Sequence, residues 1–596
     1  MDCFETYFQE LKQTSPENIT EFSHRGKLEV LLNALAPKEI KVLMEPRREK
    51  GIGAPDFQIS SKGLILGYLE NKAIDGEPLD KVLKGEQLKK YQQLSGNILL
   101  TNYIDWILVR DGKPVMREQL CYRYDIENAK SRLNKEKVKA VAFLIQKFFE
   151  AKPEVIGNAK KLAEALAVRA KHLKGYLLEE LIRQEKYHQE GRLYELYKSF
   201  RDHVFHELEL EQFADAFTQN LVYGLFLARL NADTKEREIN LYNAIRYIPA
   251  SFELIKELVD FLKELDKEEY LAARWIVEEV ISIINNLDLA AINRSLFYRI
   301  SKSKNLFNET EISYRDPFVY FYEYFLGVYD KNLRKSKGVY YTPPPIVHFI
   351  VNAVQHVLKN SFGFKEGLAD ERVTVLDFAT GTGTFLLEIF EQILETLPKN
   401  AGNRDQLIRD RLQKSMYGFE YLIAPYTVAH LKLSQYLKEN GYAMQQNERL
   451  HIYLTNTLEP ADLVTQQIPF LPALSQEGRS AQVIKNKHIL VITGNPPYSG
   501  ISKNKGKWIS NLIEDYKKLE GGQWKERKHW LGDDYVKFIR FAQHKMEYET
   551  VWDEKVQAYK EIPNDKDGIV AIITNHSFLD NPTFNGMRQS LMKTFD

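Results

Sequence analysis

The sequence predicts an α/β protein in which a helical region separates two regions of mixed α/β pattern. Residues 1–125 alternate short β-like runs with helical segments, and residues 126–310 show apolar residues at helical spacing, with only four glycines and two prolines from 131 to 310. From 311 to 596, apolar strands alternate with glycine- or proline-containing turns and helices. Continuous apolar strands separated by helices are typical of a mostly parallel sheet that is covered on both faces.

The composition excludes several classes of protein. With 596 residues, 44% hydrophobic and 28% charged, the chain is neither mainly disordered nor a disulfide-stapled small domain. The 82 basic and 82 acidic residues balance, so a nucleic-acid partner requires local basic patches. Two cysteines indicate a reducing compartment. An acidic start and the lack of a long apolar run predict a cytoplasmic protein that contacts no membrane.

The first region carries carboxylates at the edges of β-like runs. A helix is expected near 27–35, and β-like runs at 40–44, 56–59, 64–69, 98–100 and 106–109, with a charged helix at 85–94. Asp56 begins one run, and Glu70 and Lys72 follow another. Because residues i and i+2 of a strand share a face, these three side chains can meet. Two carboxylates and a backbone carbonyl can hold Mg²⁺, with the lysine beside the attacking water; a solvated strand face is the alternative.

A glycine-rich turn follows an apolar strand in the last region. Asp377 ends the strand, Gly381 and Gly383 lie in the turn, and a helix follows. The turn lacks the third glycine of a dinucleotide-binding site and the Gly-Lys-Ser/Thr of a phosphate-binding loop. Glu420, at the end of the next strand, can bind ribose hydroxyls. A ligand with an ammonium, a ribose and no phosphate fits this turn, as S-adenosylmethionine does; the alternative is a turn in which glycine serves packing alone.

A second motif, Asn495-Pro496-Pro497-Tyr498, follows another apolar strand. The prolines stiffen the backbone and leave carbonyl groups free. The Asn495 side-chain oxygen and the Pro496 carbonyl can accept both hydrogens of an exocyclic amine. Tyr498 offers a flat face on which an extruded base can stack. The alternative is a stiff loop with an incidental aromatic residue.

Together, 377–383 and 495–498 resemble the amino-group DNA methyltransferases, specifically the N6-adenine type, over about 311–596. The resemblance implies a Rossmann-like sheet and S-adenosylmethionine as methyl donor. It implies that Tyr341, Thr342 and Pro343 close over the methionine end of the donor, with Thr342 as the N-cap of a helix and Pro343 in its first turn. It also places Ala379 and Asn456 at the donor, a supporting helix at 533–538, and the wall of the base pocket at 574–578.

Asp56, Glu70 and Lys72 resemble the PD-(D/E)xK nucleases. That resemblance implies Mg²⁺-dependent DNA cleavage, with Glu29 as a further acid and metal ligand. Gln87 and Tyr91 follow as in many nucleases of this class.

The combination resembles the single-chain restriction–modification enzymes, Type IIG and Type ISP-like. It implies a nuclease domain at 1–125, a helical connector at 126–310 and a methyltransferase domain at 311–596. Basic residues at 331–337 and 501–530 suit contact with double-stranded DNA. No GxxxxGK[ST] is present, so no ATP-driven movement is predicted. A target-recognition domain is expected to be missing, either because the chain is truncated or split or because a separate chain supplies recognition.

Two other functions stay open. The enzyme could methylate protein glutamine or RNA, because an amide also presents a flat NH₂ group. Alternatively, the chain is a truncated, non-catalytic DNA-binding subunit that needs a partner recognition chain.

Overall fold

The structure is a computed structural model, and it describes most of the chain. The residues left undescribed are 1, 14–23, 45–54, 62–63, 86–87, 89–91, 93–94, 153–154, 189, 204, 206–207, 233–237, 250–251, 298–299, 305–309, 315–316, 331–341, 397–403, 443, 445–447, 461–470, 499–501, 503, 520–521, 524–528 and 554–557.

The described residues form strands and helices throughout the chain. The strands are β1 (Ile40–Met44), β2 (Phe57–Ser61), β3 (Leu64–Asn71), β4 (Asn97–Thr101), β5 (Asp105–Arg110), β6 (Lys113–Gln119), β7 (Ile300–Lys304), β8 (Thr310–Tyr314), β9 (Val375–Asp377), β10 (Met416–Glu420), β11 (Ile452–Leu454), β12 (Val491–Gly494), β13 (Lys518–Leu519), β14 (Gly522–Gln523), β15 (Tyr548–Asp553), β16 (Ala558–Pro563) and β17 (Ile569–Ile572). The α-helices are Asp2–Lys12, Arg25–Leu35, Leu79–Val82, Arg123–Glu127, Lys135–Phe149, Ala159–Arg183, Arg192–His203, Leu210–Asn231, Glu253–Val259, Leu271–Asn285, Leu289–Phe297, Pro317–Tyr329, Pro344–Asn360, Thr384–Thr396, Arg404–Ser415, Ile423–Glu439, Pro472–Asn486, Lys507–Ile513, Asp534–Glu547 and Asn585–Thr594.

The chain forms two compact units. The first comprises Met1–Leu177, Thr234–Tyr242 and Leu262–Ile292, and the second comprises Leu178–Asp233, Asn243–Phe261 and Asn293–Asp596. Helices of the predicted connector, 126–310, are therefore shared between the two units. The division into three domains stays a prediction.

The first unit is built on a six-stranded sheet in the order β1 to β6. All neighbours are antiparallel except β3 and β4, which run parallel. One apolar cluster joins the sheet to the helices Asp2–Lys12, Arg25–Leu35 and Lys135–Phe149, and a separate cluster contains Ile98, Leu100 and Ile107. Successive side chains of β4 are therefore buried on opposite faces of the sheet. The expected runs at 40–44, 64–69, 98–100 and 106–109 are all strands, whereas β6 was not expected.

The second unit contains a five-stranded sheet in the order β11-β10-β9-β12-β17. Every pair in it is parallel, as predicted. Leu376, Phe419 and Ile492 pack on one face, in a cluster that includes residues of the helices 472–486 and 534–547. Gly418 faces the other way, toward Leu386 of the helix 384–396. The sheet is therefore covered by helices on both faces, and the predicted α/β, Rossmann-like class is confirmed.

Strands β9, β10 and β12 are the predicted apolar runs, and they end at the predicted motifs. Strand β11 has only three residues, too few for a periodic signal, and was missed. Among the helices of the described part of the chain, none combines the length and apolar character needed to span a bilayer.

Candidate active site

The carboxyl ends of the central strands bring the two sequence motifs of the last region together. Asp377 ends β9 and pairs in register with Gly418 of β10 and Thr493 of β12. Beyond the strands, the Phe378 N–H donates to the Thr493 carbonyl at 3.1 Å. Because parallel strands end at one edge, the glycine-rich turn and the Asn-Pro-Pro-Tyr segment become neighbours there.

The Asp377 side chain is fully buried. Its Oδ1 accepts a 3.3 Å hydrogen bond from the Ala379 N–H, and Oδ2 has no hydrogen-bond partner among the described residues. Burial, with a further contribution from Glu420, raises the pKa of Asp377 to about 8, against a lowering effect from Lys432. A buried acceptor of this kind suits an ammonium or another strong donor.

Glu420 closes the turn from the neighbouring strand. Its two oxygens accept from the N–H of Gly381 at 2.7 Å and the N–H of Leu422 at 2.6 Å. Burial raises the pKa of Glu420 to about 7, against these backbone hydrogen bonds. Each carboxylate oxygen has a second lone pair, so the group can also accept from ribose hydroxyls.

Two glycines occupy positions that other residues would strain. Gly381 has a φ of +54° and open space where a Cβ would lie, which leaves the turn accessible to a ligand. Gly494 has a φ of +141°, and a Cβ there would lie 2.7 Å from the Phe378 ring and 2.9 Å from Asp377 Oδ1. Gly494 therefore permits the close approach of β12 to the Asp377 carboxylate.

The Asn495 amide lies at the end of β12, half-buried. Its Nδ2 donates to Thr342 Oγ1 at 3.2 Å, and its Oδ1 accepts from the Tyr498 hydroxyl at 2.8 Å. Pro496 is buried and Pro497 half-buried. The Asn495 side chain thus links the catalytic segment to Thr342, in the loop that was predicted to close over the methyl donor.

Tyr498 is supported by aromatic and apolar residues. Its ring meets Tyr535 edge-on, with the centroids 6.2 Å apart, and both Tyr498 and Phe578 pack against the same apolar cluster. Burial raises the pKa of Tyr498 to about 12, so its hydroxyl stays protonated and can donate. The predicted helix at 533–538 and the predicted wall at 574–578 therefore both contribute to the surroundings of Tyr498.

Asn456 follows β11 and is held by polar contacts. Its neighbour Thr457 donates to the Phe378 carbonyl at 2.6 Å. Asn456 Nδ2 donates to Asn504 Oδ1 at 3.0 Å, and Asn504 Nδ2 donates to Asp534 Oδ1 at 2.9 Å. The supporting helix thus fixes the segment after the catalytic motif, a link that the sequence did not indicate.

One prediction for this loop is wrong. The helix begins at Pro344, so Pro343 is the N-cap and Pro344 occupies the first turn. Thr342 lies one residue earlier, and its hydroxyl accepts from Asn495 instead of capping the helix. Tyr341 and the basic segment 331–337 lie outside the described residues.

The basic segment after the catalytic motif is only partly described. Within it, Lys517 pairs with Glu514, and Lys518 pairs with Asp515 at 2.8 Å. These two lysines are therefore engaged with acids of their own segment, unlike the open basic patch that the sequence suggested.

The first unit brings the nuclease-like residues together. Asp56 precedes β2, opposite the end of β3, and its Oδ2 accepts from the Asn71 N–H at 2.6 Å. Glu70 Oε1 lies 2.7 Å from Lys72 Nζ, which agrees with the expected shared face. Both carboxylates are buried. The other Asp56 oxygen pairs with the Arg25 guanidinium, a partner that no sequence pattern indicated.

The structure does not support the predicted metal site. Within the described ranges, no group of three or more His, Cys, Asp and Glu side chains is arranged to hold a metal ion. Glu29, predicted as a further ligand, therefore joins no such group. Asp56 and Glu70 are both buried carboxylates, the oxygen chemistry that Mg²⁺ prefers. Gln87 and Tyr91 lie outside the described residues.

Lys432 is a further buried residue near the donor turn that the sequence did not indicate. Its Nζ lies 3.4 Å from Thr384 Oγ1, at the start of the helix after the turn, and its charge lowers the Asp377 pKa. The sequence feature that could have identified Lys432 is its position as a lysine among apolar residues of the helix Ile423–Glu439.

The solved structures that match this chain include enzymes of restriction–modification systems. A DrdV–DNA complex solved by cryo-electron microscopy has a TM-score of 0.49 and 20% identity, covering 99% of this chain and 52% of that chain. The ATP-dependent Type ISP restriction-modification enzyme LlaBIII bound to DNA has a TM-score of 0.48 and 18% identity, covering 76% and 27%. The type IIG restriction endonuclease BpuSI has a TM-score of 0.30 and 11% identity, covering 95% and 53%.

The matched part of this chain spans 52% of the DrdV chain and 27% of the LlaBIII chain. Among curated protein sequences, none matches the chain. The sequence profile of the N-6 DNA Methylase family matches residues 313–535, a segment that contains Asp377, Glu420 and Asn495.

Proposed function

We propose that the chain transfers a methyl group from S-adenosylmethionine to the N6 amine of adenine in DNA. The observation that carries the proposal is the position of the Asn495 amide, which adjoins the glycine-rich turn and the buried Asp377 at the carboxyl edge of a parallel sheet. The match of residues 313–535 to the N-6 DNA Methylase family supports the same chemistry.

The residues of the turn would hold the methyl donor. Asp377 Oδ2 is a buried acceptor without a partner among the described residues, and an ammonium would supply that partner. Glu420 would accept from the ribose hydroxyls, and Ala379 and Asn456 would flank the donor. When bound, S-adenosylmethionine supplies an electrophilic methyl group on a sulfonium.

The residues of the second motif would hold the target base. Asn495 Oδ1 and the Pro496 carbonyl would accept both hydrogens of the amine, which raises the electron density on its nitrogen. Tyr498 would stack on the extruded base, supported by Tyr535 at its edge. The Tyr498 hydroxyl already donates to Asn495 Oδ1, so the incoming amine would use the second lone pair of that oxygen or displace the hydroxyl.

A labelled methyl donor offered separately to DNA, RNA and protein tests this proposal. We expect label in unmodified DNA, and its loss in Asn495→Ala. Asn360→Ala is the matched control, because Asn360 is an exposed asparagine of the same unit. Label in RNA or in protein glutamine, and not in DNA, would show that DNA is not the substrate. Donor binding without transfer until a second chain is added would favour the non-catalytic subunit.

We further propose that the first unit cleaves unmodified DNA with Mg²⁺, which would make the chain a single-chain restriction–modification enzyme. Asp56 and Glu70 would bind the cation, and Lys72 would position or activate the attacking water. Support comes from the buried pair of carboxylates with Lys72 at 2.7 Å from Glu70. A separate recognition chain would supply sequence specificity, and no ATP is required.

The two activities separate by mutation. Asp56→Asn and Lys72→Met should abolish cleavage of long unmodified DNA in Mg²⁺ and leave methyl transfer intact. Asp80→Asn is the matched control, since Asp80 is an exposed carboxylate of the same unit that pairs with Arg117. Undiminished cleavage by purified Asp56→Asn would rule out the nuclease assignment.

A further inference from the structure

The Thr342 hydroxyl is placed to act on the reaction through Asn495. Its Oγ1 accepts from Asn495 Nδ2 at 3.2 Å, although 153 residues separate the two in the chain. Thr342 does not cap the helix that follows, because the helix begins two residues later with Pro343 as its N-cap. Its hydroxyl is therefore engaged with the catalytic segment.

An amide side chain presents an acceptor on one side and donors on the other. An amine can be held only by the oxygen, because an amide turned the other way would set its N–H groups against those of the amine. When Oδ1 faces the amine, Nδ2 faces away and needs an acceptor of its own, since an unsatisfied half-buried donor is costly. In this structure, Thr342 Oγ1 is that acceptor.

We propose that Thr342 is a positioning residue for methyl transfer, which turns the Asn495 oxygen toward the target amine by binding the amide nitrogen. The proposal rests on the proposed methyltransferase function and deepens it. It also gives the loop before the helix 344–360 a role in base recognition besides any contact with the methyl donor.

The test compares Thr342→Val, which keeps the shape and removes the acceptor, with Thr342→Ser, which keeps the acceptor. Thr396→Val is the matched control, because Thr396 is exposed and, within the described part of the chain, its hydroxyl bonds Gln392 of its own helix. For each full-length variant, the melting temperature, the affinity for S-adenosylmethionine by calorimetry and the single-turnover rate of methyl transfer to unmodified DNA are measured.

Thr342→Val should lower the single-turnover rate roughly three- to tenfold, the range of one net hydrogen bond. The rate is measured at saturating S-adenosylmethionine, so that a change in donor affinity at this loop does not enter it. The melting temperature should stay near the wild-type value, and Thr342→Ser should restore the rate.

A wild-type rate in Thr342→Val would overturn the inference. So would a loss that a lower melting temperature explains, or a rate in Thr342→Ser as low as that in Thr342→Val. If the wild-type chain transferred no methyl to DNA, the proposed function itself would fail and this inference with it. An active wild type beside an equally active Thr342→Val would refute the inference alone.

Discussion

The Tyr498 hydroxyl donates a 2.8 Å hydrogen bond to Asn495 Oδ1. This is the oxygen that would receive the target amine, so the acceptor is satisfied before any base arrives. The protein thus avoids leaving a half-buried acceptor without a partner. The oxygen has a second lone pair, so it can also accept from the amine of a base that stacks on the Tyr498 ring.

Tyr498→Phe and Tyr498→Ala should differ sharply. Tyr498→Phe keeps the stacking face and removes only the hydroxyl, so we expect methyl transfer within about threefold of the wild-type rate. Tyr498→Ala loses base stacking, worth about 1–3 kcal/mol, and should lower kcat/KM by roughly 5- to 150-fold. Methylation kinetics on unmodified DNA measure both. Equal losses in the two variants would show that the hydroxyl, and not the ring, carries the function of Tyr498.

Gly494→Ala and Gly381→Ala should separate stability from ligand binding. A Cβ at Gly494 meets Phe378 and Asp377 in a backbone conformation that side chains disfavour, so we expect a loss of about 2 kcal/mol or more in unfolding free energy. At Gly381 the space is open, so the stability loss should be about 1 kcal/mol. Denaturant unfolding measures both.

Gly381→Ala should weaken donor binding although it costs less stability than Gly494→Ala. The Gly381→Ala methyl would enter the space beside the turn and weaken S-adenosylmethionine binding in calorimetry, while the chain stays folded. Donor binding by Gly381→Ala at wild-type affinity would contradict the placement of the donor at this turn.

The Asp377 carboxyl predicts a pH dependence of stability. Burial raises its pKa in the folded chain from the usual 3.8 to about 8, so between these pH values the folded chain binds its proton more tightly than the unfolded chain. Stability from this group is therefore full below about pH 4 and is lost as the pH rises toward about 8.

Asp377→Asn should flatten this dependence, because the amide does not titrate. Without methyl donor, the variant should lose less unfolding free energy than the wild type between pH 5 and pH 8. Parallel curves for the two proteins would contradict the buried, protonated state of Asp377.

The Arg25–Asp56 pair predicts a response to metal. Both side chains are almost buried, and removing one partner of such a pair commonly costs about 3 kcal/mol or more. Arg25→Met should therefore unfold more easily, and Mg²⁺ should restore part of the loss by supplying positive charge at Asp56 and Glu70. Melting temperatures with Mg²⁺ and with chelator measure this.

Arg25→Met with Asp56→Asn is the control for that prediction. The double variant should show little stabilisation by Mg²⁺, because one of the two carboxylates is gone. An equal response to Mg²⁺ in the single and double variants would place the cation elsewhere.

Local patterns predicted most strands of the two larger sheets, but not β6 or β11. The runs that lead to Asp377, Glu420 and Asn495 are apolar and followed by distinctive turns, so the parallel sheet and its carboxyl edge could be expected. The role of Thr342 could not, because three consecutive prolines from 343 allow the helix to begin at more than one place. The hydrogen bond between Thr342 and Asn495 joins segments that are distant in the sequence, as the ion pair between Arg25 and Asp56 also does. Such contacts cannot be predicted from the periodicity of apolar residues.

The most direct measurement is nucleoside analysis by mass spectrometry of unmodified DNA incubated with the chain and isotopically labelled S-adenosylmethionine. The proposed geometry at Asn495 requires labelled N6-methyl-2′-deoxyadenosine from the wild-type chain and none above background from Asn495→Ala. Label on cytosine, or equal N6-methyl-2′-deoxyadenosine from the two proteins, would contradict it.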